Sequence, residues 1–426
     1  MSELSYLEKL LDGVGIDWLP LKNVAEVRSG WGFPNAYQGN SEGDYPFYKV
    51  SDMNTIGNET VMSTANNFID NEIVNKLGIR LAPAGTIIFP KIGAAIATNK
   101  KRLLSMSSAY DNNVMGLVTN EKVISRYVFY WVQTINLSTL AHDSGAVPSI
   151  RKSEIEALLF PIPCPDNPEK SLEIQSEIVR ILDKFTELTA ELTAELTMRK
   201  KQYNYYRDQL LSFEEGGVEW KTLGDIGEFI RGKRFTKADY VEEGVKVIHY
   251  GEIYTRFGVY ATDSFSQVRT DMEKSLRYAD PGDVVITDVG ETVEDVGKAV
   301  AWLGVEKVAI HDHCYAFRHS MNPKFVSYCM QTSSFIAEKA KYVARTKVNT
   351  LIIKGFSKIP IPVPYPDDPE KSLAEQSRIV TILDKFDTLI NSNKEGLPRE
   401  IELRQKQYEY YRDLLFTFPN PEVAEA

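Results

Sequence analysis

The chain has 426 residues, too many for one ordinary core, so two or three domains are expected. Hydrophobic content of 43% and charged content of 25% are those of a soluble globular protein, and no apolar run reaches the roughly 18 residues of a membrane span. The net charge of −10 argues against a nucleic-acid binder, unless acid and base are segregated along the chain.

The start, MSELSYLEKLLDG, is amphipathic and acidic, without the basic-then-apolar order of a signal peptide. Short apolar runs between turn residues, such as GTIIFPKIG and VMGLVTN, predict strands, and SRYVFYWVQTINL predicts a helix. LLFPIPCPDNP predicts an extended exit, because proline disfavours helix there. PEKSLEIQ opens a helix whose apolar seam runs Ile174, Ile178, Ile181, Phe185, Leu188, Leu192. A second step of four reaches Leu196, and the seam resumes at Arg199, Tyr203, Tyr206 and Leu210. The simple segment TELTAELTAELT (Thr186 to Thr197) is therefore a four-residue stutter in a coiled-coil register. Further on, VKVIHYG and DVVITDVG predict strands, PKFVSYCMQTSSFIAEKA a helix, and KIPIPVPYPDDP a second extended exit. The last seam is Ile379, Ile382, Phe386, Leu389. It breaks at KEGLPRE, where Gly396 and Pro398 end one helix and start another, and resumes at Ile401, Arg404, Tyr408, Tyr411, Leu415.

These elements form an internal repeat. PIPCPDNPEKSLEIQSEIVRILDKFTEL (from Pro161) returns as PIPVPYPDDPEKSLAEQSRIVTILDKFDTL (from Pro360), and RKKQYNYYRDQLLSF (from Arg199) returns as RQKQYEYYRDLLFTF (from Arg404). The domains between match only faintly, as in LAPAGTIIF against YADPGDVVI and YVFYWVQT against FVSYCMQT. The predicted fold is α+β: two pseudo-symmetric globular domains joined by two long helices that form an antiparallel coiled coil. The boundaries are 1–160, a central helical spacer at 161–213, 214–359, a C-terminal spacer at 360–418, and a tail at 419–426. Two amphipathic helices packing on their own domains are the other reading of the spacers. Like seams of similar length favour pairing.

Two variable domains, two near-identical spacers, PIPxP exits, QSxIVxILDKF and QYxYYRDxLL resemble the specificity subunit (HsdS) of type I restriction–modification enzymes, over the whole chain. The tetrapeptide-repeat spacer resembles its IC subfamily. The resemblance implies that each variable region is a target recognition domain reading one half of a bipartite DNA site. It implies that the spacers set the gap and dock two modification subunits, which bind S-adenosylmethionine and methylate adenine N6. Two restriction subunits would add ATP- and Mg-dependent translocation and cleavage. This chain would carry no catalysis and no cofactor, and would work in the bacterial cytoplasm. A duplicated protein–protein scaffold without DNA specificity is the alternative.

The motifs agree with a chain that is not itself an enzyme. GETVEDVGKAV has the wrong spacing for a P-loop, and no methyltransferase N/D-P-P-Y/F occurs. PDNPEKS and PDDPEKS are faintly nuclease-like, but proline and acid at a helix start explain them. In His311, Asp312, His313 and Cys314, a strand would point Cys314 away from the two histidines, so no metal site is expected. The three cysteines lack CxxC spacing, which suits a reduced chain without disulfides or a zinc cage.

Base reading needs hydrogen-bonding side chains supported by cations on phosphates. In the first domain the candidates are Arg28, Trp31, Tyr48, Lys49, Lys91, Lys100, Lys101, Arg102, Arg151 and Lys152. In the second they are Arg231, Lys233, Arg234, Lys237, His249, Tyr250, Arg256, and Arg345 with Lys347, which are matched in sequence to GAVPSIRK. The spacer and docking candidates are Phe185, Leu188, Leu192, Leu196, Tyr203, Tyr206, Phe386, Leu389, Tyr408 and Tyr411.

Overall fold

The computed structural model describes residues 11, 13–142, 147–213, 217–345, 348–392 and 395–418. They form two compact units, Met1–Ala190 with Leu403–Ala426, and Glu191–Glu402. Each linear spacer is thus divided between both units, and the 419–426 tail lies outside the described residues.

The first unit has a five-stranded sheet ordered Ala25–Ser29, Val114–Thr119, Ile87–Pro90, Arg102–Leu104, Val61–Met62. The second unit repeats it as Gly227–Arg231, Cys314–His319, Val284–Thr287, Ala299–Trp302, Tyr260–Ala261. In each, the last strand pairs parallel to its neighbour. A second sheet, three-stranded in the first unit and five-stranded in the second, pairs a strand ahead of a short helix with a parallel partner: Tyr45–Tyr48 with Ala109–Tyr110, and Val245–Ile248 with Val308–Ile310.

The proline-rich exits are extended, as expected, and they are strands. Leu159–Pro163 pairs antiparallel with the entry strand Ile16–Pro20, setting Trp18 opposite Pro161. Pro360–Pro364 pairs with Val218–Thr222, setting Trp220 opposite Pro362. A two-stranded ribbon leaves an edge on which missing N–H groups cost nothing. Each domain is therefore entered and left side by side.

The helix expected in SRYVFYWVQTINL spans Ser125–Gln133. The one expected in PKFVSYCMQTSSFIAEKA is two, Pro323–Cys329 and Ser333–Lys339. Thr332 divides them, because its side chain accepts from the Phe335 N–H and caps a new helix.

A central helix, Pro168–Leu210, runs unbroken for 43 residues through the stutter. The second spacer is two helices, Pro369–Asn391 and Leu397–Leu415, parted where Gly396 takes a φ of 90°. In the first unit, Ile174, Ile178 and Leu182 of the central helix, Leu415 at the end of the last helix and Phe416 just beyond it share one core with Ile87, Leu117, Tyr127 and Trp131. In the second, Tyr203 and Leu211 share a core with Ile379, Leu383, Ile390, Phe317 and Phe325. The start of one spacer thus lies against the end of the other in each unit, as antiparallel pairing requires. Phe185 stacks on Tyr411 at 5.2 Å between centroids, and Tyr206 on Phe386 at 6.0 Å.

Packing on the home domain also contributes. Leu182 and Leu383, outside the predicted seam, are fully buried, whereas the seam positions Leu188, Tyr206, Leu389 and Tyr411 are exposed. The helices turn their first face to their own domain, and only beyond Phe185 and Phe386 does the seam open away from it.

The blocks that the two copies share have a structural task. The buried Gln175 accepts from the Ile124 N–H at 2.9 Å, and its amide donates to Ser171 Oγ at 3.2 Å. Gln376 does the same with the Asn322 N–H at 2.8 Å and Ser372 Oγ at 3.0 Å. Two turns on, Asp183 accepts from Arg126 Nη2 at 2.6 Å and from the Tyr130 hydroxyl, while Asp384 accepts from the Tyr328 hydroxyl at 2.7 Å and pairs with Lys324. Each spacer helix is therefore clamped to its domain at two points. Gln376→Ala leaves the Asn322 N–H without its acceptor, an expected loss of about 1–3 kcal/mol. This should appear as a lower thermal unfolding midpoint.

Candidate nucleic-acid interface

Both units build the same surface from equivalent strand ends. Gly232 follows the strand Gly227–Arg231 so closely that a Cβ there would lie 2.1 Å from the His311 carbonyl oxygen. Gly30 would meet Asp111 in the same way at 2.0 Å. The next N–H donates across in each unit, Lys233 to Ile310 and Trp31 to Tyr110, both at 3.0 Å. Only glycine lets the outgoing loop press onto the turn between the two sheets.

In the second unit that loop raises Lys233, Arg234 and Lys237, all exposed and without an ion-pair partner among the described residues. Beside it, His249 caps the helix Tyr250–Thr255, with Nδ1 accepting from the Gly251 N–H at 3.1 Å. The His311 ring meets Phe235 edge-on at 4.8 Å and His249 at 4.6 Å. Arg234, Phe235, His249, Tyr250, His311 and His313 line a cleft of about 360 Å³. A wider cleft of about 980 Å³ adjoins it at Tyr250 and His313, with Lys298, Val348 and Thr350 on its far side. Burial depresses the histidines: His249 lies below its ordinary value and His311 is pushed down to about 4, against the pull of Asp312. The His249 and His311 rings are therefore neutral at pH 7, each with one donor and one acceptor nitrogen.

The equivalent surface of the first unit carries Trp31, Lys49, Lys91 and Asn113. Trp31 sits edge-on to Tyr110 at 5.9 Å. Lys49 precedes the short helix Val50–Asn54, its N–H held by Asp52 at 2.6 Å and its ammonium over Phe33 at 5.6 Å. Lys91 Nζ donates to Ser29 Oγ at 3.0 Å, and burial lowers its pKa.

Other candidates lie elsewhere. Tyr48 is buried and donates to the Met62 carbonyl, so it is a core residue and cannot face DNA. Lys101 is fully buried; its ammonium donates to Asn99 Oδ1 at 2.8 Å and the Ile135 carbonyl at 2.6 Å, and burial pushes its pKa down to about 8. It ties two loops together and presents no charge to a ligand. The Arg28 side chain is 11% exposed and paired to Glu26 at 2.6 Å, which neutralises it. Arg102 is half-buried and donates to the carbonyls of Lys101 and Met53, with Lys100 against Asn54. Lys152 pairs with Glu156 at 3.4 Å, next to Arg151 at the helix start. Arg256 lies over Phe265 at 5.5 Å.

The match of ARTKVNT to GAVPSIRK does not hold in register. Arg345 precedes the strand Asn349–Leu351, whereas Arg151 follows its counterpart Ser149–Ile150. Lys347 lies outside the described residues.

The basic sequence clusters do not contain Asp288, Asp111 or Asn113, and His313 stands there only in a metal-like motif. The alignment of FPKIG with ITDVG, which sets Lys91 against Asp288, carried the signal. His311 to His313 form a turn, not a strand, and the following Cys314 is buried. No group of three or more His, Cys, Asp or Glu among the described residues could hold a metal ion. At the PDNPEKS and PDDPEKS sites, Asn167 and Asp368 accept from the N–H groups of Lys170 and Lys371, a capping role.

The family model described as the type I restriction modification DNA specificity domain matches twice, over residues 16–198 and 215–403. The chain belongs to this family. It is 38% identical to the Escherichia coli type I restriction enzyme EcoR124I/EcoR124II specificity subunit, over 99% of each chain. It is 32% identical to the Escherichia coli EcoprrI specificity subunit, over 92% of each. A solved chain from work on complex assembly and conformational transition of the type I R-M system shares the fold at a TM-score of 0.60, with 14% identity, over 94% of this chain and 97% of that one. A specificity subunit supplies DNA sequence recognition within a restriction–modification complex. No helix among the described residues is long and apolar enough to cross a membrane.

In the specificity subunit, Lys233→Ala and Arg234→Ala should each lower the salt slope of DNA binding by about one, while Lys101→Met should leave it unchanged and lower the unfolding midpoint. Burial also holds His319 at about 4. A depressed histidine leaves the unfolded chain binding more protons, so this stability is full above about pH 6.5 and is lost as pH falls toward about 4. The thermal midpoint should drop between about pH 6.5 and about pH 5, and less so in His319→Gln.

Proposed function

We propose that each unit is a target recognition domain that reads one half of a bipartite DNA site. The observation that carries this is the repeated surface: one backbone, one glycine and one loop in both units, with different hydrogen-bonding side chains at equal positions. The spacers dock two modification subunits, which supply S-adenosylmethionine-dependent adenine methylation. Restriction subunits add ATP- and Mg-dependent cleavage in the bacterial cytoplasm. The tetrapeptide-repeat spacer supports assignment to the IC subfamily. The exposed Leu188, Tyr205, Leu389 and Tyr410 leave apolar surface on the spacers for such partners.

The unbroken central helix supports a ruler. One ELTA unit adds about 6 Å and a net turn of about 40°. One base pair of B-DNA adds about 3.4 Å and about 35°. The rotations nearly match, so whole-unit changes keep a domain facing its groove. Deleting one ELTA unit should shorten the gap in the methylated motif by about one base pair with both half-sites kept, as read by long-read methylation mapping. An unchanged gap would refute the ruler. A single-residue insertion swings the helix by about 100° and should abolish methylation.

A further inference from the structure

The second unit holds an arginine in a manner that suits a base edge better than a phosphate. Arg231 ends its strand, with its side chain 52% exposed beside the buried carboxylate of Asp288, 7% exposed. Its Nε donates to the Asp312 carbonyl at 3.0 Å, its Nη2 lies 3.6 Å from Asp288, and its guanidinium lies 5.9 Å from the centre of the Tyr315 ring. Asp288 is fixed in turn: His313 Nδ1 is 2.9 Å from its other oxygen, and its N–H donates to the His313 carbonyl at 3.0 Å. The rest of the five-donor guanidinium fork is unpaired among the described residues.

We propose that Arg231, held by Asp288, reads a guanine in the half-site of the second unit. A phosphate contact draws on net charge, and a buried acid alongside reduces it. Reading O6 and N7 of guanine needs two parallel N–H groups in a fixed plane, which an anchored guanidinium offers at little entropic cost. Lys233, Arg234 and Lys237, with no acid against them, suit the phosphates.

The first unit sharpens the assignment. Arg231 pairs with Tyr315 where Ser29 pairs with Met115, and the N–H of Lys91 donates to Asn113 as that of Asp288 does to His313. The same two positions touch in both units. In the first they are Lys91 and Ser29, a point charge on a hydroxyl. A scaffold that keeps such a contact while exchanging its chemistry is expected where two half-sites differ in sequence.

The inference rests on the two-domain reading above, and its test separates the two. The full chain with its modification subunit is expressed as wild type, Arg231→Ala, Arg231→Lys and Asp288→Asn, and the methylated motif is mapped genome-wide. A bipartite wild-type motif with a G·C pair that relaxes in all three variants is expected. Discrimination at that pair should fall on the order of tenfold to a hundredfold, with every other position kept. Arg231→Lys retains the charge and separates a lost base contact from a lost fold. A uniform fall in methylation at every site, with the motif unchanged, would make Arg231 a phosphate contact and overturn the guanine assignment alone. A wild-type complex that methylates no bipartite motif would overturn the reading beneath it.

Discussion

A buried glutamine side chain ties each spacer helix to its recognition domain. Gln175 and Gln376 each accept the N–H of a loop residue, and Asp183 and Asp384 add a charged clamp two turns later. These contacts fix the start of each helix against the domain it follows. The same contacts explain why EKSLxxQS and ILDKF persist in both copies while the domains between them diverge. The clamp touches the loop and the helix that begins at Ser125 or Pro323, and it leaves the strand ends free to vary.

Net charge misleads for a related reason. The chain is acidic overall, yet the loop after Gly232 raises Lys233, Arg234 and Lys237 with no ion-pair partner among the described residues. Part of the acid lies on the spacer helices, some of it in i,i+3 pairs such as Arg180 with Glu177 and Arg378 with Glu375. Such pairs are worth little to stability.

The architecture was legible in the sequence because periodicity and repetition are properties of the chain itself. The helix starts, the break at Gly396 and the extended exits follow from local rules. The site was legible only in outline. Lys101 and Tyr48 have the right chemistry in sequence, but packing turns them inward. Asp288 has the wrong charge for a cation search, and only the register of the strands shows it beside Arg231. The split at Thr332 escaped because the apolar pattern continues across it, while a hydroxyl starts a new helix.

The two units also differ in when they can be completed during synthesis. The second is drawn from one continuous stretch, Glu191–Glu402. The first needs Leu11 from the beginning of the chain and Leu415, Phe416 and Phe418 from its end in a single core. The later-encoded domain can therefore finish folding while the earlier one still waits on the ribosome. A chain truncated near its end would carry a sound second domain and an open first one. Integrity of the last helix is thus a built-in check on the first unit alone, which closes only after the second has been made.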